Sequence, residues 1–294
     1  MRLPESASSP KSMNSSYDSV VRANQELHSV LAHAYNATEP HFRAENVAHV
    51  EGKLQKIFSE THAQRMLDLG CGTGFLINIG KKYVSQIDGV DVTEAMLAQV
   101  DLSGAAEIRL HLTDTGSFAA EQGAYDVVTA YSFLHHLYDL VPTLNTAARA
   151  LRPGGMFYAD LEPNFYFWDA IKAMDPNETY DPIVNREVAS VMEKDEEIQR
   201  QFHVDKQVFN NAEYNKNITG GFRAETLIEL LLKAGFSKVD ISYYWFLGQA
   251  SVVNEGPYAR DQRLEMARLF SATLERGLPL TRSLFKYVGF VATR

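Results

Sequence analysis

The 294-residue chain holds a single cysteine, Cys71, which excludes an internal disulfide framework and any cysteine-rich zinc site. That scarcity fits a reducing compartment. Basic residues are also in deficit. Against 37 acidic residues there are 28 Lys and Arg, a formal net charge of −9, and no run of five or more Lys and Arg occurs. A surface built to neutralise phosphate backbones is excluded on that balance, so nucleic acid is not an expected partner. No run of about 18 apolar residues is available to span a bilayer, and the first ten residues lack the apolar core of a secretion signal. The chain is therefore read as cytoplasmic, with no membrane span. No internal repeat is visible. Residues 1–16, rich in Ser with two Pro, read as a disordered tail.

What is present begins with Met66-Leu67-Asp68-Leu69-Gly70-Cys71-Gly72-Thr73-Gly74-Phe75-Leu76, a short apolar strand running into three alternate glycines. Without a Cβ, such a turn bends sharply and lets a ligand approach the main chain, with the next helix offering its N–H groups. The spacing Asp-x-Gly-x-Gly-x-Gly differs from the Gly-x-Gly-x-x-Gly of dinucleotide sites. The pattern then predicts a helix from Phe75 to Val84, a strand from Gln86 ending at Asp91, a helix opening at Thr93 as N-cap, and a strand from Ala106 to Leu112. Tyr125 to Tyr131 is nearly continuous in apolar residues, as a strand buried on both faces should be. A helix from Leu140 to Leu151, stopped by Pro153-Gly154-Gly155, and a strand from Met156 to Leu161 complete the alternation. Such alternation predicts an α/β fold with a doubly wound, mostly parallel sheet, with ligands beyond the carboxyl ends of the strands.

Two amphipathic runs, Ser19 to Ala34 and Val47 to Phe58, precede the first strand, and the rhythm breaks again between 163 and 220. The chain is thus divided into a tail (1–16), an N-terminal helical lid (17–63), a Rossmann-like core (64–162), a mostly helical cap insertion (163–220) and the C-terminal part of the core sheet (221–294). In the last part Leu227 to Leu232 form a helix that Gly235 caps, followed by strands Lys238 to Tyr244 and Phe285 to Thr293 with a helix between them.

Three aspartates stand at successive strand ends. Asp68 precedes the glycines, Asp91 sits where an acid accepts hydrogen bonds from a ribose diol, and Asp114 sits where one meets an exocyclic amine. Each alone is explained by capping or turn formation. Together with Leu67-Asp68-Leu69-Gly70-Cys71-Gly72-Thr73-Gly74, Gly89-Val90-Asp91-Val92-Thr93 with Met96, Tyr125-Asp126-Val127-Val128, Phe133-Leu134-His135-His136-Leu137 and Leu151-Arg152-Pro153-Gly154-Gly155, they carry a resemblance. The chain resembles the Rossmann-like (class I) S-adenosylmethionine-dependent methyltransferases, in particular small-molecule enzymes of the ubiquinone and menaquinone biosynthesis type.

The resemblance implies a seven-stranded sheet ending in an antiparallel hairpin, and methyl transfer from S-adenosylmethionine to a small organic acceptor, at O or C rather than N, with S-adenosylhomocysteine as product. It implies Asp68, Gly70, Cys71 and Gly72 around the methionine and ribose, and Asp91 on the ribose hydroxyls. It places Val92 and Met96 on the adenine, Asp114 and Thr115 at its amine edge, Tyr131 beneath the methionyl part and Tyr35 as a lid contact.

His136 and His135 follow the fourth strand and are the candidate general bases, His being suited to proton transfer near neutral pH. His33, His41 and His203 are open to approach from lid or cap. Neighbouring histidines on a helix point apart and no carboxylate pair completes a ligand set, so a metal-free site is expected. Two aromatic runs, Phe165 to Trp168 and Tyr243 to Phe246, either wall an acceptor pocket or pack the core. Glu162-Pro163-Asn164-Phe165 imitates the signature of amino-methylating nucleic-acid enzymes but follows the fifth strand, and carries no weight. A catalytically silent protein that binds S-adenosylmethionine to regulate or scaffold a partner is the alternative reading. An NAD-type oxidoreductase is disfavoured by the glycine spacing.

Overall fold

The computed structural model describes residues 11–175 and 177–294. In chain order it contains α1 (Lys11–Leu31), α2 (Tyr35–Thr38), α3 (Ala44–Thr61), β1 (Arg65–Leu69), α4 (Phe75–Gly80), β2 (Gln86–Asp91), α5 (Glu94–Leu97), β3 (Glu107–Leu112) and β4 (Tyr125–Tyr131). Then follow α6 (Val141–Ala150), β5 (Leu151–Pro163), α7 (Phe165–Lys172), α8 (Pro182–Met192), α9 (Lys194–Phe202), α10 (Lys206–Ala212), α11 (Ala224–Ala234), β6 (Lys238–Phe246), α12 (Gln249–Asn254), α13 (Arg260–Arg276) and β7 (Phe285–Thr293).

The seven strands lie in the order β3-β2-β1-β4-β5-β7-β6. β1 to β5 are parallel, and β7 runs antiparallel to both of its neighbours. The last two strands pair as expected, with α12 and α13 rather than a tight turn joining them. Side chains alternate across the sheet. Met66, Val127 and Tyr158 pack with Val50, Leu54 and Ile77 from α3 and α4 on one face. Leu67, Val128 and Phe157 pack with Leu144, Ala147, Leu227 and Leu231 from α6 and α11 on the other. The strand order reverses between β1 and β4, which opens a crevice at their carboxyl ends.

Local differences from the sequence reading have physical causes. Of the tail expected over 1–16, residues 1–10 lie outside the described residues, and from Lys11 the chain is helical. Nothing after Pro10 breaks a helix there, and α1 gains burial of Val20, Ala23 and Leu27 further on. α4 stops at Gly80 rather than Val84 because the chain must turn back to β2, where Ser85 and Gln86 donate their N–H groups to the Gln64 carbonyl. Thr93 occupies the N-cap position of α5 without a capping hydroxyl; its N–H donates to Asp91 instead. Pro153-Gly154-Gly155 does not separate α6 from its strand. β5 starts at Leu151 and the three residues form an irregularity within it, between the pairs Tyr125↔Leu151 and Val127↔Met156.

The segment 163–220 holds α7 to α10 and a single π-helical turn, Tyr214–Ile218. α1 packs its Ala23 and Leu27 against Ile198, Phe209 and Ala212 of α9 and α10, so the first helix and the insertion share one small core. Among the described residues no helix is long and apolar enough to cross a membrane.

Candidate active site

At the switch point lies a cavity of about 330 Å³, in the size range of small-molecule sites. Its floor is the glycine turn and the ends of β2 and β4. Gly70, Gly72 and Gly74 all have positive φ, +67, +52 and +87°. A Cβ on Gly70 would collide with the Phe133 ring at 1.9 Å, whereas one on Gly72 would meet only Met96, at 3.5 Å, and would stand in the cavity. The glycines thus serve different needs: the first admits Phe133 and the second keeps the cradle open. Asp91 lies beside this cradle, accepting from the N–H of Gly72 at 2.9 Å and from that of Thr93 at 2.8 Å. Burial pushes its carboxyl up, and those two N–H groups oppose the shift.

Of the residues expected at the cofactor, Tyr35, Gly70, Cys71, Gly72, Asp91, Val92, Met96, Asp114, Thr115 and Tyr131 line this one cavity. Asp68 does not. It is buried behind the turn and accepts from the Thr129 hydroxyl at 2.7 Å. Burial, helped by nearby Asp91 and opposed by the Thr129 hydrogen bond, pushes its pKa up to about 7. The sign of the consequence is fixed by proton counting: between about pH 4 and 7 the folded chain keeps a proton that the unfolded chain releases, so stability falls as pH rises through that window. In Asp68→Asn this loss is absent. The unfolding free energy of the variant relative to the parent should therefore grow by about 2–4 kcal/mol between pH 4 and pH 7.5, measured by urea titration. A pH-independent difference would mean that Asp68 ionises normally.

The roof comes from α1, in the segment read from sequence as a helical lid, but none of the α1 residues that line the cavity was among the expected site residues. Tyr17, Val20, Val21, Asn24 and His28 fall on one helical face and line the cavity. The amide of Asn24 donates to the His136 carbonyl at 3.1 Å and that of Gln25 to the Val92 carbonyl at 3.1 Å, latching α1 to both sides of the crevice. The only signal in the sequence was the spacing itself, which marks a buried face without saying what it faces. Tyr17 stands beside Asp114, and burial together with that carboxylate pushes its hydroxyl up to about 12.

The loop after β4 carries the two candidate bases. Ser132 has φ +50°, and Leu134–His136 form a short 3₁₀ turn. That turn is held from below by Glu162, which is fully buried at the end of β5. One of its oxygens accepts from the N–H groups of Phe133 at 2.9 Å and Leu134 at 2.8 Å; the other accepts from the His135 N–H at 3.0 Å and the His135 ring Nδ1–H at 2.7 Å. His135 is therefore buried away from the cavity lining, with Nε2 3.6 Å from Glu213. His136 lines the cavity. Its Nδ1–H donates to the Ala212 carbonyl at 2.7 Å, which leaves Nε2 as the free nitrogen. Burial, then the neighbouring His135, pulls its pKa well below the ordinary histidine value.

The two rings do not point apart as expected for neighbours on a helix: a 3₁₀ turn brings their centroids to 4.1 Å. With Glu213 they form a three-residue group whose ligand atoms lie within 4.8 Å of one another. Glu213 is already engaged by Lys216, Nζ to Oε2 2.6 Å. Burial raises the Glu213 carboxyl, but Lys216 and the histidines outweigh it and hold it below the usual range. The positive charge that a metal ion would bring is thus supplied by a side chain.

Of the other histidines, His41 is buried in the cavity wall, and burial pulls its pKa down to about 4. His33 and His203 are exposed and take no part in the lining. Neither aromatic run walls the cavity. Phe167 and Trp168 pack with Ile171, and Tyr243 and Phe246 belong to the main core. Aromatic lining comes instead from Tyr17, Tyr35, Phe75, Tyr131, Phe133 and Tyr138.

Residues 67–159 match a family model described as a methyltransferase domain. The chain is 31% identical over 107 residues to a ubiquinone biosynthesis O-methyltransferase of Aromatoleum aromaticum, covering 35% of this chain and 46% of that protein. It is 31% identical over 118 residues to the Bordetella pertussis protein of the same name, covering 38% and 49%. The chain thus spans about half the length of the curated relatives it matches. Among solved structures, the phosphoethanolamine N-methyltransferase 2 of Haemonchus contortus, in complex with phosphomonomethylethanolamine and S-adenosylhomocysteine, shares the fold. Its TM-score is 0.55 at 16% identity, over 99% of this chain and 61% of that one.

Proposed function

We propose, for a chain that carries a class I methyltransferase domain over residues 67–159, transfer of a methyl group from S-adenosylmethionine to a small organic acceptor, at O or C rather than N. The observation that carries this reading is the convergence on one cavity of the open Gly72 cradle, the Asp91 carboxylate and a ring nitrogen of His136 free to take a proton. The residues fit the cofactor. Asp91 retains lone pairs for the ribose hydroxyls beyond the two N–H groups it already accepts. Val92 and Met96 offer an apolar surface to the adenine, Asp114 and Thr115 face its amine edge, and Gly70, Cys71, Tyr131 and Tyr35 surround the methionyl part.

When bound, S-adenosylmethionine supplies a methyl group on a positively charged sulfur, whose C–S bonding pair stays behind to give S-adenosylhomocysteine. The protein has to align the acceptor and exclude water, and proximity alone supplies much of the rate. α1, packed from behind by α10, closes the roof. Nε2 of His136 takes the proton of an acceptor hydroxyl or acidic carbon, and the Ala212 carbonyl holds the tautomer that leaves it free to do so. No step needs a metal ion.

Thermal melting with S-adenosylmethionine, S-adenosylhomocysteine and NAD tests the cofactor: stabilisation by NAD and by neither sulfur compound would sink the proposal. Incubation with labelled methyl donor and a metabolite extract tests the reaction, and persistent failure to label anything favours the silent regulator. Asp91→Ala should weaken S-adenosylhomocysteine binding by about 1–3 kcal/mol in calorimetry, through loss of charge-assisted hydrogen bonds and of the support under Gly72. An unchanged affinity would show that the ribose is held elsewhere.

A further inference from the structure

Four consecutive residues of the histidine loop each meet a residue of one short stretch in the cap. His135 Nε2 faces Glu213 at 3.6 Å, the His136 ring donates to the Ala212 carbonyl at 2.7 Å, the Leu137 carbonyl accepts from the Asn215 amide, and the Tyr138 ring packs on that of Tyr214 with centroids 5.1 Å apart. The stretch is the junction of α10 with the π-helical turn Tyr214–Ile218. Single π turns are rare and recur at functional sites, where the extra residue re-aims side chains that a regular helix spaces evenly.

Asn215, in the middle of this stretch, is buried and stands outside the cavity lining. The Leu137 carbonyl only accepts, so the amide nitrogen of Asn215 faces it, and the amide oxygen is left to the Thr219 hydroxyl at 3.0 Å. The Asn215 main-chain carbonyl accepts from the Gly221 N–H at 2.6 Å, and a Cβ on Gly221 would meet the Pro163 carbonyl at 2.7 Å. The cap stretch is thereby fixed to the end of β5, next to the Glu162 that holds the loop from below.

What this fixing serves is the His136 ring. Its tautomer depends on the main-chain carbonyl of Ala212, whose place is set by its neighbours and not by its own side chain. Glu213 is anchored by Lys216 at 2.6 Å, and Asn215 is bonded to Leu137, the residue after His136. From α1 the His136 ring meets His28 edge-on, with centroids 4.8 Å apart, and the Nδ1–H of His28 is spent on the Asn24 carbonyl at 2.9 Å. The proton on Nδ1 of His136 is therefore held from the cap alone.

We propose that Asn215 is a positioning residue for methyl transfer. By holding the Leu137 carbonyl it keeps the histidine loop in register with the cap, so that the Ala212 carbonyl fixes the proton on Nδ1 of His136 and Nε2 stays free for the acceptor. This rests on the methyl-transfer reading with His136 as base, and gives the cap a share in the reaction beyond covering it.

The test uses the full chain labelled with ¹⁵N-histidine. At about pH 8, where the ordinary histidine is neutral, a long-range ¹H–¹⁵N correlation spectrum tells the two ring tautomers apart, and the His136 signals are those missing from His136→Gln. The parent should show His136 with its proton on Nδ1. In Asn215→Ala, and in Asn215→Leu, which keeps the size of the side chain without its donor, the proton should divide between the two ring nitrogens. S-adenosylhomocysteine affinity should stay within about threefold, while S-adenosylhomocysteine formation from S-adenosylmethionine and a metabolite extract falls about tenfold or more. A lower melting temperature with the tautomer unmoved would make Asn215 merely structural and overturn the assignment, as would a rate within about threefold of the parent; both leave methyl transfer in place. The parent spectrum is decisive even where neither variant folds, since a proton found on Nε2 overturns the assignment by itself. A tautomer that shifts as expected in a chain that converts no S-adenosylmethionine with any extract removes the methyl-transfer reading, and this inference with it.

Discussion

Replacing Glu162 by alanine should lower the unfolding free energy by about 3–5 kcal/mol, a large share of the stability of a single domain. The carboxylate is fully buried and makes four hydrogen bonds, three to consecutive backbone N–H groups and one to an imidazole. Alanine leaves all four donors buried without a partner, each costing about 1–3 kcal/mol before relaxation. It also leaves His135 facing Glu213 alone. Glutamine is the informative control. Its carbonyl oxygen can still accept from Phe133 and Leu134, but its amide points two protons at the donors of His135, so an intermediate loss is expected. Urea unfolding measures both. A loss below about 1 kcal/mol for the alanine variant would show that water or a moved side chain takes over the donors, and that the loop is held by Asn24 and Asn215 from above.

That same glutamate marks where the sequence stops being readable. The run Glu162-Pro163-Asn164-Phe165 imitates a signature of other enzymes and was set aside for its position. Each polar member has a different job. Glu162 holds the histidine loop, while Asn164 donates to the carbonyls of Arg282 and Phe285, both at 2.7 Å, and accepts from Tyr166 at the start of α7. These partners lie up to 121 residues away. No periodicity or spacing reports on such pairs, because periodicity records only that a face is buried. The glycine turn, Asp91 and Asp114 were legible for the opposite reason. Turn chemistry and strand ends are local, and parallel sheets put those ends side by side.

The roof shows the intermediate case. Val20 and Leu27 reveal α1 as amphipathic, and the helix does bury them. Its cavity-lining residues, Tyr17, Asn24 and His28, interrupt that apolar pattern, so a reading by hydropathy assigns them to solvent. The paired histidines were found by motif and misjudged in geometry, since a 3₁₀ turn stacks neighbours that an α-helix separates. The aromatic runs, which the sequence left open between pocket wall and packing, stay out of the cavity lining, and Phe167, Trp168, Tyr243 and Phe246 are core.

His136→Gln should lower the methyl-transfer rate by about 10²–10⁴-fold while S-adenosylhomocysteine affinity stays within a few-fold and the fold stays intact. Glutamine can reproduce the hydrogen bond to the Ala212 carbonyl but offers no basic nitrogen. The pH profile separates loss of a base from loss of a contact. Burial and His135 pull the His136 pKa well below the usual value, so the parent keeps its free base into mildly acidic solution and the acid limb of its rate should lie below about pH 6.5. In the variant that limb should disappear. Stability follows the same proton with a definite sign. As pH falls below the unfolded value, the unfolded chain binds a proton that the folded chain refuses, so acidification destabilises the parent more than the variant. A rate loss under about threefold, or an acid limb unchanged in His136→Gln, would transfer the role of base to another wall residue, with His28 next in line by its 4.8 Å contact and free Nε2. A parallel loss of cofactor affinity would instead make His136 a structural part of the roof, since its carbonyl is the point at which Asn24 latches α1.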